Sequence, residues 1–273
     1  MKRSLFAVIA LCGALGVFAQ ADSTVKEQPS DTIRVGGMVI VKKGGGKKYH
    51  DLIISNREKR RLSNLSTNWW IFDVGFANYN DKTNYASPEA VAFAPGTSKE
   101  ALKLKSGKSV NVNIWVFMQR LNIIKHVVNL KYGLGLELNN YRYEYMTVRL
   151  HKDPSSITAD QAIKETGKNK LAADYVTAPI LLNFNFTPHR HKGFGFSAGI
   201  SAGYLYSARQ KIKINGNKSK LHDDFNLEKW KLSYIGEFNL GIVKLYGSYA
   251  FKSMWEKGLD QTPYSVGLRF GSW

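Results

Sequence analysis

The stretch GFGFSAGISAGYLYSA, residues 193–208, decides the fold of this protein. Apolar and aromatic side chains occupy its even positions from Phe194 to Ala208, whereas glycine or serine occupies most of the odd positions. A period of two predicts a β-strand, because successive side chains of a strand point to opposite faces. The run continues as strand and lacks the spacing of a dinucleotide-binding loop, so no cofactor is predicted from its glycines.

Seven further segments show the same alternation and bring the predicted strand count to eight: 70–76, 110–118, 128–138, 176–186, 230–239, 243–251 and 264–271. In the second of them, Asn111, Asn113 and Gln119 are assigned to the polar face. Beyond Asn139 the aromatic residues change parity. Either a bulge near Asn139 and Asn140 or an inward-facing cluster of Tyr141, Tyr143 and Tyr145 would explain this change.

The connections between these segments alternate in length. Residues 80–107, 148–170, 212–228 and 255–262 are long and polar, whereas 122–126, 187–192 and 239–241 are short. Long loops at one rim, short turns at the other and an even strand number are typical of outer-membrane barrels. We therefore predict an all-β fold, an eight-stranded antiparallel transmembrane β-barrel with long extracellular loops and short periplasmic turns.

A soluble β-sandwich with its apolar face inward is the alternative fold. The signal peptide described below and a mature chain without cysteine disfavour it. Aromatic residues at the segment ends, which would form interfacial girdles, also favour the barrel. These residues are Trp69, Trp70, Tyr79, Tyr204, Tyr206, Trp230, Tyr249, Trp255 and Tyr264.

The N-terminus has the pattern of a secretory signal peptide, with Lys2 and Arg3 before an apolar run and small residues around Ala19 and Ala21. We predict a signal peptide over 1–20, a basic periplasmic segment over 21–66 and an outer-membrane barrel over 67–273. In the second segment, GGMVIV is interpreted as a short strand, and the Gly-Lys tract as a flexible linker. The only cysteine, Cys12, lies in the signal peptide, so no disulfide or thiolate metal site is expected.

The formal charge of +18 falls to +16 without the two N-terminal cations. A balance this basic favours anionic partners such as lipid phosphates or acidic polysaccharide. Export makes nucleic acid the least favoured of these partners. Outer-membrane lipid is the expected environment, and the oligomeric state stays open.

Five segments of the sequence resemble the PorT-like family of small outer-membrane β-barrel proteins. They are NWWIFDVGFANYN at 68–80, KYGLGLELNNYRYE at 131–144, DYVTAPILLNFNF at 174–186, FGFSAGISAGYLYSA at 194–208 and PYSVGLRF at 263–270. The resemblance implies a small barrel in the outer membrane without established catalytic residues. The chain departs from such barrels at its end, where Trp273 is out of phase with Phe270.

If the apolar parity faces lipid, the opposite parity places seven charged residues in the lumen: Asp73, Lys131, Glu137, Lys231, Glu237, Lys244 and Arg269. Eight strands leave room only for side chains, so these charges are predicted to form a structural salt-bridged plug. The glycines at 133, 135, 195, 199, 203 and 267 are interpreted as space for these long chains. No catalytic, cofactor-binding or metal residue is predicted.

The function expected from these features is a non-enzymatic scaffold in the outer membrane, associated with secretion or surface assembly, with a protein or glycan partner at its extracellular loops. One alternative is a barrel enzyme that modifies membrane lipid through His151 or His222, which lie near Asp153 and Asp224. A second alternative is a narrow solute channel. The pair His189 and His191 is interpreted as a solvated turn rather than a metal site.

Overall fold

The computed structural model describes residues 32–35, 38–41, 62–159, 167–189, 193–214 and 217–271. The predicted signal peptide, the Gly-Lys tract, His191 and Trp273 lie outside these residues. The chain divides into two units, Met1–Lys59 and Arg60–Trp273. In the first unit, β1 (Thr32–Val35) pairs antiparallel with β2 (Met38–Val41), the strand expected in GGMVIV.

The second unit is built from one large antiparallel sheet. Its strands are β3 (Leu65–Asp81), β4 (Val110–Ile124), β5 (Val128–Arg142), β8 (Gly167–Asn185), β9 (Phe194–Ile214), β10 (Asn217–His222), β11 (Trp230–Leu240), β12 (Val243–Ala250) and β13 (Gln261–Phe270). The hairpin of β6 (Arg149–His151) and β7 (Ser156–Thr158) forms a separate two-stranded sheet. The loops also contain helix α1 (Pro88–Phe93) and a 3-10 turn at Ser106–Lys108. Within the described ranges, no helix is long and apolar enough to span a membrane.

Eight of these strands close into a ring. The order β9–β11–β12–β13–β3–β4–β5–β8 returns to β9, because β8 also pairs with β9. Each ring strand corresponds to one of the eight segments predicted from the sequence, so the predicted count is confirmed. Closure leaves none of the eight ring strands as the edge of the sheet, which a membrane requires.

The two rims of the ring differ as predicted. At the short-turn rim, β4 joins β5 through residues 125–127, and β11 joins β12 through Gly241 and Ile242. At the opposite, long-loop rim, the connections run over 82–109, 143–166, 215–229 and 251–260. The loop expected over 148–170 is interrupted by the β6–β7 hairpin and the start of β8. Likewise β9 extends to Ile214 and continues into β10, where a loop from residue 212 was predicted.

The outward face of the ring is apolar. On β13, Tyr264, Val266, Leu268 and Phe270 are exposed, and β11 exposes its apolar side chains in the same way. Seven of the nine predicted girdle residues are also exposed. The other two assignments are wrong: Trp255 is buried in a loop, and Tyr79 lies on the inward parity of β3 and packs against buried loop residues.

Three strands, β3 at Trp70 and also β4 and β9, change phase at bulges that the sequence did not predict. In β4 the register with β5 shifts between Trp115 and Phe117, so Met118 is fully buried inside, and its assignment to the outward face is wrong. Gln119 accordingly moves to the outward parity. In β9 the register with β8 shifts after Tyr206, which turns Ala208 inward and makes its outward assignment wrong as well.

Inward-facing tyrosines, and not a bulge, explain the parity change beyond Asn139. Pairing of β5 with β8 is unbroken through Asn139 and Asn140, so a bulge there is wrong. Tyr141 and Tyr143 continue the inward parity and are buried, with Tyr145 packed against the same cluster. The tyrosines therefore face inward at the long-loop rim.

Candidate functional site in the barrel interior and loop cap

The barrel interior is organised around Asp73 of β3, which is fully buried. Arg269 of β13 donates Nε to Oδ1 at 2.6 Å and Nη2 to Oδ2 at 2.8 Å. Trp115 Nε1 donates to the same Oδ2 at 2.7 Å, and Asn113 Nδ2 does so at 3.2 Å. Four donor groups therefore hold this carboxylate in one position.

Arg269 also connects Asp73 to a second carboxylate. Its Nη1 donates to Glu237 Oε1, while Glu237 Oε2 accepts from Lys131 Nζ at 2.7 Å and from Ser197 Oγ at 3.1 Å. Lys131 Nζ lies 3.2 Å from Ser197 Oγ as well. Four strands thus contribute to one ion network across the lumen.

The third carboxylate, Glu137, is joined to Asp73 through asparagines. Glu137 accepts from Lys231 Nζ and from Asn139 Nδ2, the latter at 3.0 Å. Asn111 Nδ2 then donates to Asn139 Oδ1 at 2.9 Å and to Asn113 Oδ1 at 3.1 Å. This network contains three carboxylates and three cations, so their formal charges cancel. Neutral, hydrogen-bonded sets are the form in which buried charges persist.

Six of the seven predicted lumen residues therefore meet in one network: Asp73, Lys131, Glu137, Lys231, Glu237 and Arg269. Lys244 does not join their ion pairs. It lies near the short-turn rim, and its Nζ donates to the carbonyl oxygen of Gly271. The inward parity placed it correctly in the ring, but its position along the strand separates it from the carboxylates.

Trp115 and Tyr246 also belong to this interior, although neither was predicted from the sequence to be a site residue. Tyr246 donates its hydroxyl to Asn111 Oδ1 at 2.5 Å. The parity of Asn111 and Asn113 would have placed Trp115 inside as well. Large aromatic residues in barrel strands are more readily interpreted as lipid-facing, which hid this role.

Two of the six predicted interior glycines lie against aromatic rings. A Cβ at Gly135 would lie 2.8 Å from Trp115 Cε3, and one at Gly267 would lie 2.8 Å from Tyr246 Cε1. These glycines accommodate aromatic side chains of the adjacent strand rather than long charged chains. Aromatic cover of a glycine is a known means of stabilising a strand pair.

The connections at the long-loop rim pack into a buried apolar cluster, which we call the loop cap. It combines residues of all four connections with inward side chains of the strands: Phe93, Leu102, Tyr141, Tyr143, Val148, Leu150, Ile157, Leu171, Tyr175, Phe225, Leu227, Met254, Trp255 and Leu259. The expectation of simply polar loops is therefore wrong. Each loop contributes a few apolar residues without periodicity, and such residues reveal their burial only when the loops converge.

Directional contacts fix the loop cap to the ring. Inward-facing Gln210 of β9 donates to the Val148 carbonyl at 2.9 Å and accepts from the Leu150 backbone N–H at 3.0 Å, which holds the β6–β7 hairpin. The rings of Phe93 and Trp255 meet edge to face with centroids 5.5 Å apart. Trp255 Nε1 also donates to Gln261 Oε1 at 2.9 Å.

The loop histidines occupy separate positions. His151 Nε2 lies 2.9 Å from Thr158 Oγ1 across the β6–β7 hairpin. His222 ends β10, and the nearby Asp224 carboxylate accepts from the Asn226 backbone N–H at 3.3 Å. His189 lies in the turn after β8. Within the described ranges, no group of three or more His, Cys, Asp or Glu residues is placed to hold a metal ion.

A comparison with curated proteins found no match. Among solved structures, the attachment invasion locus protein Ail of Yersinia pestis is similar, with 12% sequence identity, a TM-score of 0.30 and coverage of 77% of this chain and 100% of that chain. At that TM-score the likeness carries no argument. The family model of the outer membrane protein beta-barrel domain matches residues 70–254, which contain six of the eight ring strands and most of β3. The chain belongs to this outer membrane protein beta-barrel domain family, and the protein is located in the outer membrane.

Proposed function

We propose that this protein is a non-enzymatic scaffold, in which a closed barrel anchors the loop cap in the outer membrane and the cap binds a protein or glycan partner. The PorT-like resemblance further suggests a role in secretion or cell-surface assembly. The observation that carries the proposal is the filled ring. The ion network occupies its interior, and the loop cap packs over its long-loop rim.

The neutral interior favours an anchor over a channel. A channel for ions or solutes needs water along its axis, whereas the lumen charges of this barrel are bound to one another and to amide side chains. Eight-stranded barrels are filled by side chains in general. The purified protein in planar bilayers is therefore expected to give no single-channel steps, and defined steps would support a channel instead.

The outer surface of the loop cap offers a contact surface on a fixed base. In helix α1, Ala90 and Phe93 are buried in the cap, whereas the side chain of Val91 is 50% exposed. Ser87 Oγ accepts from the Ala90 backbone N–H at 3.3 Å and caps the helix. An exposed apolar side chain on a fixed helix loses little entropy on binding, which suits recognition of a partner.

The proposal requires the loop cap to face the cell exterior. Because Cys12 is the only cysteine and lies in the predicted signal peptide, single cysteines can be introduced without background. Lys99→Cys lies in the long connection after β3, and Lys125→Cys lies in the short turn after β4; both side chains are exposed. A membrane-impermeant maleimide is expected to label intact cells at position 99 alone and to label position 125 after the outer membrane is permeabilised.

The binding role is tested by photocrosslinking in intact cells. A photoreactive amino acid at Val91 is expected to give a discrete adduct, and the same amino acid at Lys125 serves as the control at the opposite rim. Adducts at neither position, together with wild-type behaviour of a strain lacking the protein in secretion and surface assays, would contradict the scaffold role.

A further inference from the structure

Cationic side chains align across four neighbouring strands above the apolar band of the barrel. Arg142 of β5 pairs with Lys170 of β8, Lys170 with Lys211 of β9, and Lys211 with Lys220 of β10. Four positive charges therefore stand side by side in one row. Directly opposed residues of antiparallel strands have Cβ atoms about 5 Å apart.

A second row and one further cation extend this surface. Lys168 pairs with Lys213, and Lys213 with Lys218, two residues further along the same strands. Arg209 precedes Lys211 by two residues on the same face. We call these eight residues the basic ladder: Arg142, Lys168, Lys170, Arg209, Lys211, Lys213, Lys218 and Lys220.

The basic ladder faces outward rather than into the loop cap. The alternate residues Asn169, Leu171 and Gln210 are buried on the inward side. Lys213, Lys218 and Lys220 are exposed, and Lys211 is half-buried. The ladder is thus a surface feature of the rim, on strands whose backbones are fixed by pairing.

The described residues supply little negative charge to this surface. Arg209 is the one ladder residue with a described carboxylate partner, Asp174, at 2.5 Å. Lys170 Nζ donates to the neutral side chain of Asn140 at 3.0 Å, and Arg142 Nη2 donates to the Gly167 carbonyl at 3.2 Å. Like charges in directly opposed positions destabilise a sheet, so the ladder costs stability unless an anion binds it.

The basic ladder lies next to the lipid-facing surface of the barrel. Further down the same faces of β8 and β9, the exposed residues include Val176, Ile180, Ile200, Tyr204 and Tyr206. Arg209 follows Tyr206 by three residues, about 10 Å along the strand. The face that contacts lipid chains therefore passes through aromatic residues directly into the ladder, at the height of the lipid headgroups.

We propose that the basic ladder binds the phosphate groups of phosphorylated lipid headgroups in the leaflet around this rim. Lysine and arginine donate to phosphate oxygens, and rows of cations about 5 Å apart match several phosphates of neighbouring headgroups better than one isolated ion. This lipid contact lies on one side of the barrel and does not depend on the scaffold role of the loop cap.

Native mass spectrometry of the full chain, folded in zwitterionic micelles, tests this assignment with phosphatidic acid and phosphatidylcholine as probes. The ladder variant is Lys211→Gln, Lys213→Gln and Lys220→Gln. The matched control, Lys82→Gln, Lys99→Gln and Lys257→Gln, removes the same charge from exposed loop positions. Heat-modifiable migration confirms folding of both variants. If the triple ladder variant does not fold, Lys218→Gln with Lys220→Gln on β10, outside the ring, replaces it.

The wild type and the control are expected to bind phosphatidic acid in preference to phosphatidylcholine. The ladder variant is expected to bind it at least about tenfold more weakly, since each lysine near an anionic lipid surface contributes about fivefold. Equal losses in both variants, or no preference for phosphatidic acid, would overturn the proposal. Full displacement by about 10 mM inorganic phosphate, roughly ten-thousandfold above a lipid probe at about 1 μM, would indicate an ion site rather than a lipid site. If the ladder variant kept its binding to phosphatidic acid but lost binding to a sulfated oligosaccharide, the ladder would be assigned to a glycan instead.

Discussion

Arg269 and Asp73 face each other across the seam where the last strand of the ring meets the first. They are directly paired residues of β13 and β3, and two parallel hydrogen bonds of 2.6 and 2.8 Å join them. Because Arg269 also contacts Glu237 of β11, one side chain connects three strands at the point of closure. The charge network therefore secures the seam as well as filling the lumen.

Removal of Arg269 is expected to destabilise the barrel strongly. Arg269→Met leaves the buried carboxylates of Asp73 and Glu237 without their shared cation, and breaking a buried pair in this way costs about 3–5 kcal/mol. Asp73→Asn should lower the free energy of unfolding by less, since Arg269 still pairs with Glu237. Urea unfolding in micelles, followed by tryptophan fluorescence, measures both losses.

The matched control for that experiment is Lys252→Met. Lys252 pairs with Glu228 at 2.6 Å, but its side chain is 57% exposed, so the loss should stay below about 1 kcal/mol. Similar losses for Lys252→Met and Arg269→Met would show that the seam network adds no stability.

Gly135→Ala is expected to lower the free energy of unfolding by about 1–3 kcal/mol, the usual cost of overpacking. The added Cβ would lie 2.5 Å from the Ile114 carbonyl oxygen and 2.8 Å from the Trp115 ring. Gly236→Ala is the control in another strand, because the nearest atom to its Cβ is 3.9 Å away. Chemical denaturation compares the two variants, and an equal response would contradict the close approach of Trp115.

Phe93→Ala is expected to loosen the loop cap without opening the ring. Truncation of a buried phenylalanine costs about 3–5 kcal/mol locally, and the edge-to-face contact with Trp255 is lost. Limited proteolysis should then cut within 82–109, while heat-modifiable migration stays unchanged. Val91→Ala in the same helix removes an exposed side chain and should leave the wild-type resistance.

Tyr85→Phe is expected to make the protein less sensitive to alkaline pH. Burial, together with the hydrogen bond to Asp81 at 2.7 Å and the negative charge of that residue, raises the pKa of the Tyr85 phenol above its usual range. A raised folded-state pKa means that the contribution of Tyr85 is fully present below the unfolded value of about 10 and is lost as pH rises toward the folded value.

At pH 8 the wild type should therefore exceed Tyr85→Phe in free energy of unfolding by about 1 kcal/mol, and at pH 11 this difference should shrink. The other tyrosines titrate in both proteins and cancel in the comparison. A difference that stays constant between the two pH values would show that the Tyr85 phenol does not have a raised pKa.

Much of the fold follows from periodicity alone. The sequence predicts the eight strands, most of their faces and the alternation of connection lengths. It also predicts the inward position of residues such as Asp73 and Glu237, because alternation along a strand distinguishes its two faces locally. The errors at Met118 and Ala208 share one cause. A bulge inserts a single residue and reverses the phase, and neither Val116 nor Tyr206 differs in type from its neighbours in a way that marks the insertion.

The sequence by itself determined an exported eight-stranded barrel, an apolar outer face and the set of charges in its interior. The tertiary structure alone decided which charges pair, because partners such as Lys131 and Glu237 lie far apart in the chain and meet only after strand register is set. It alone decided that the long connections form a buried cap and that the cations of four strands align in rows. These features depend on non-local packing and register, whereas the alternation of residues within one strand is a local property.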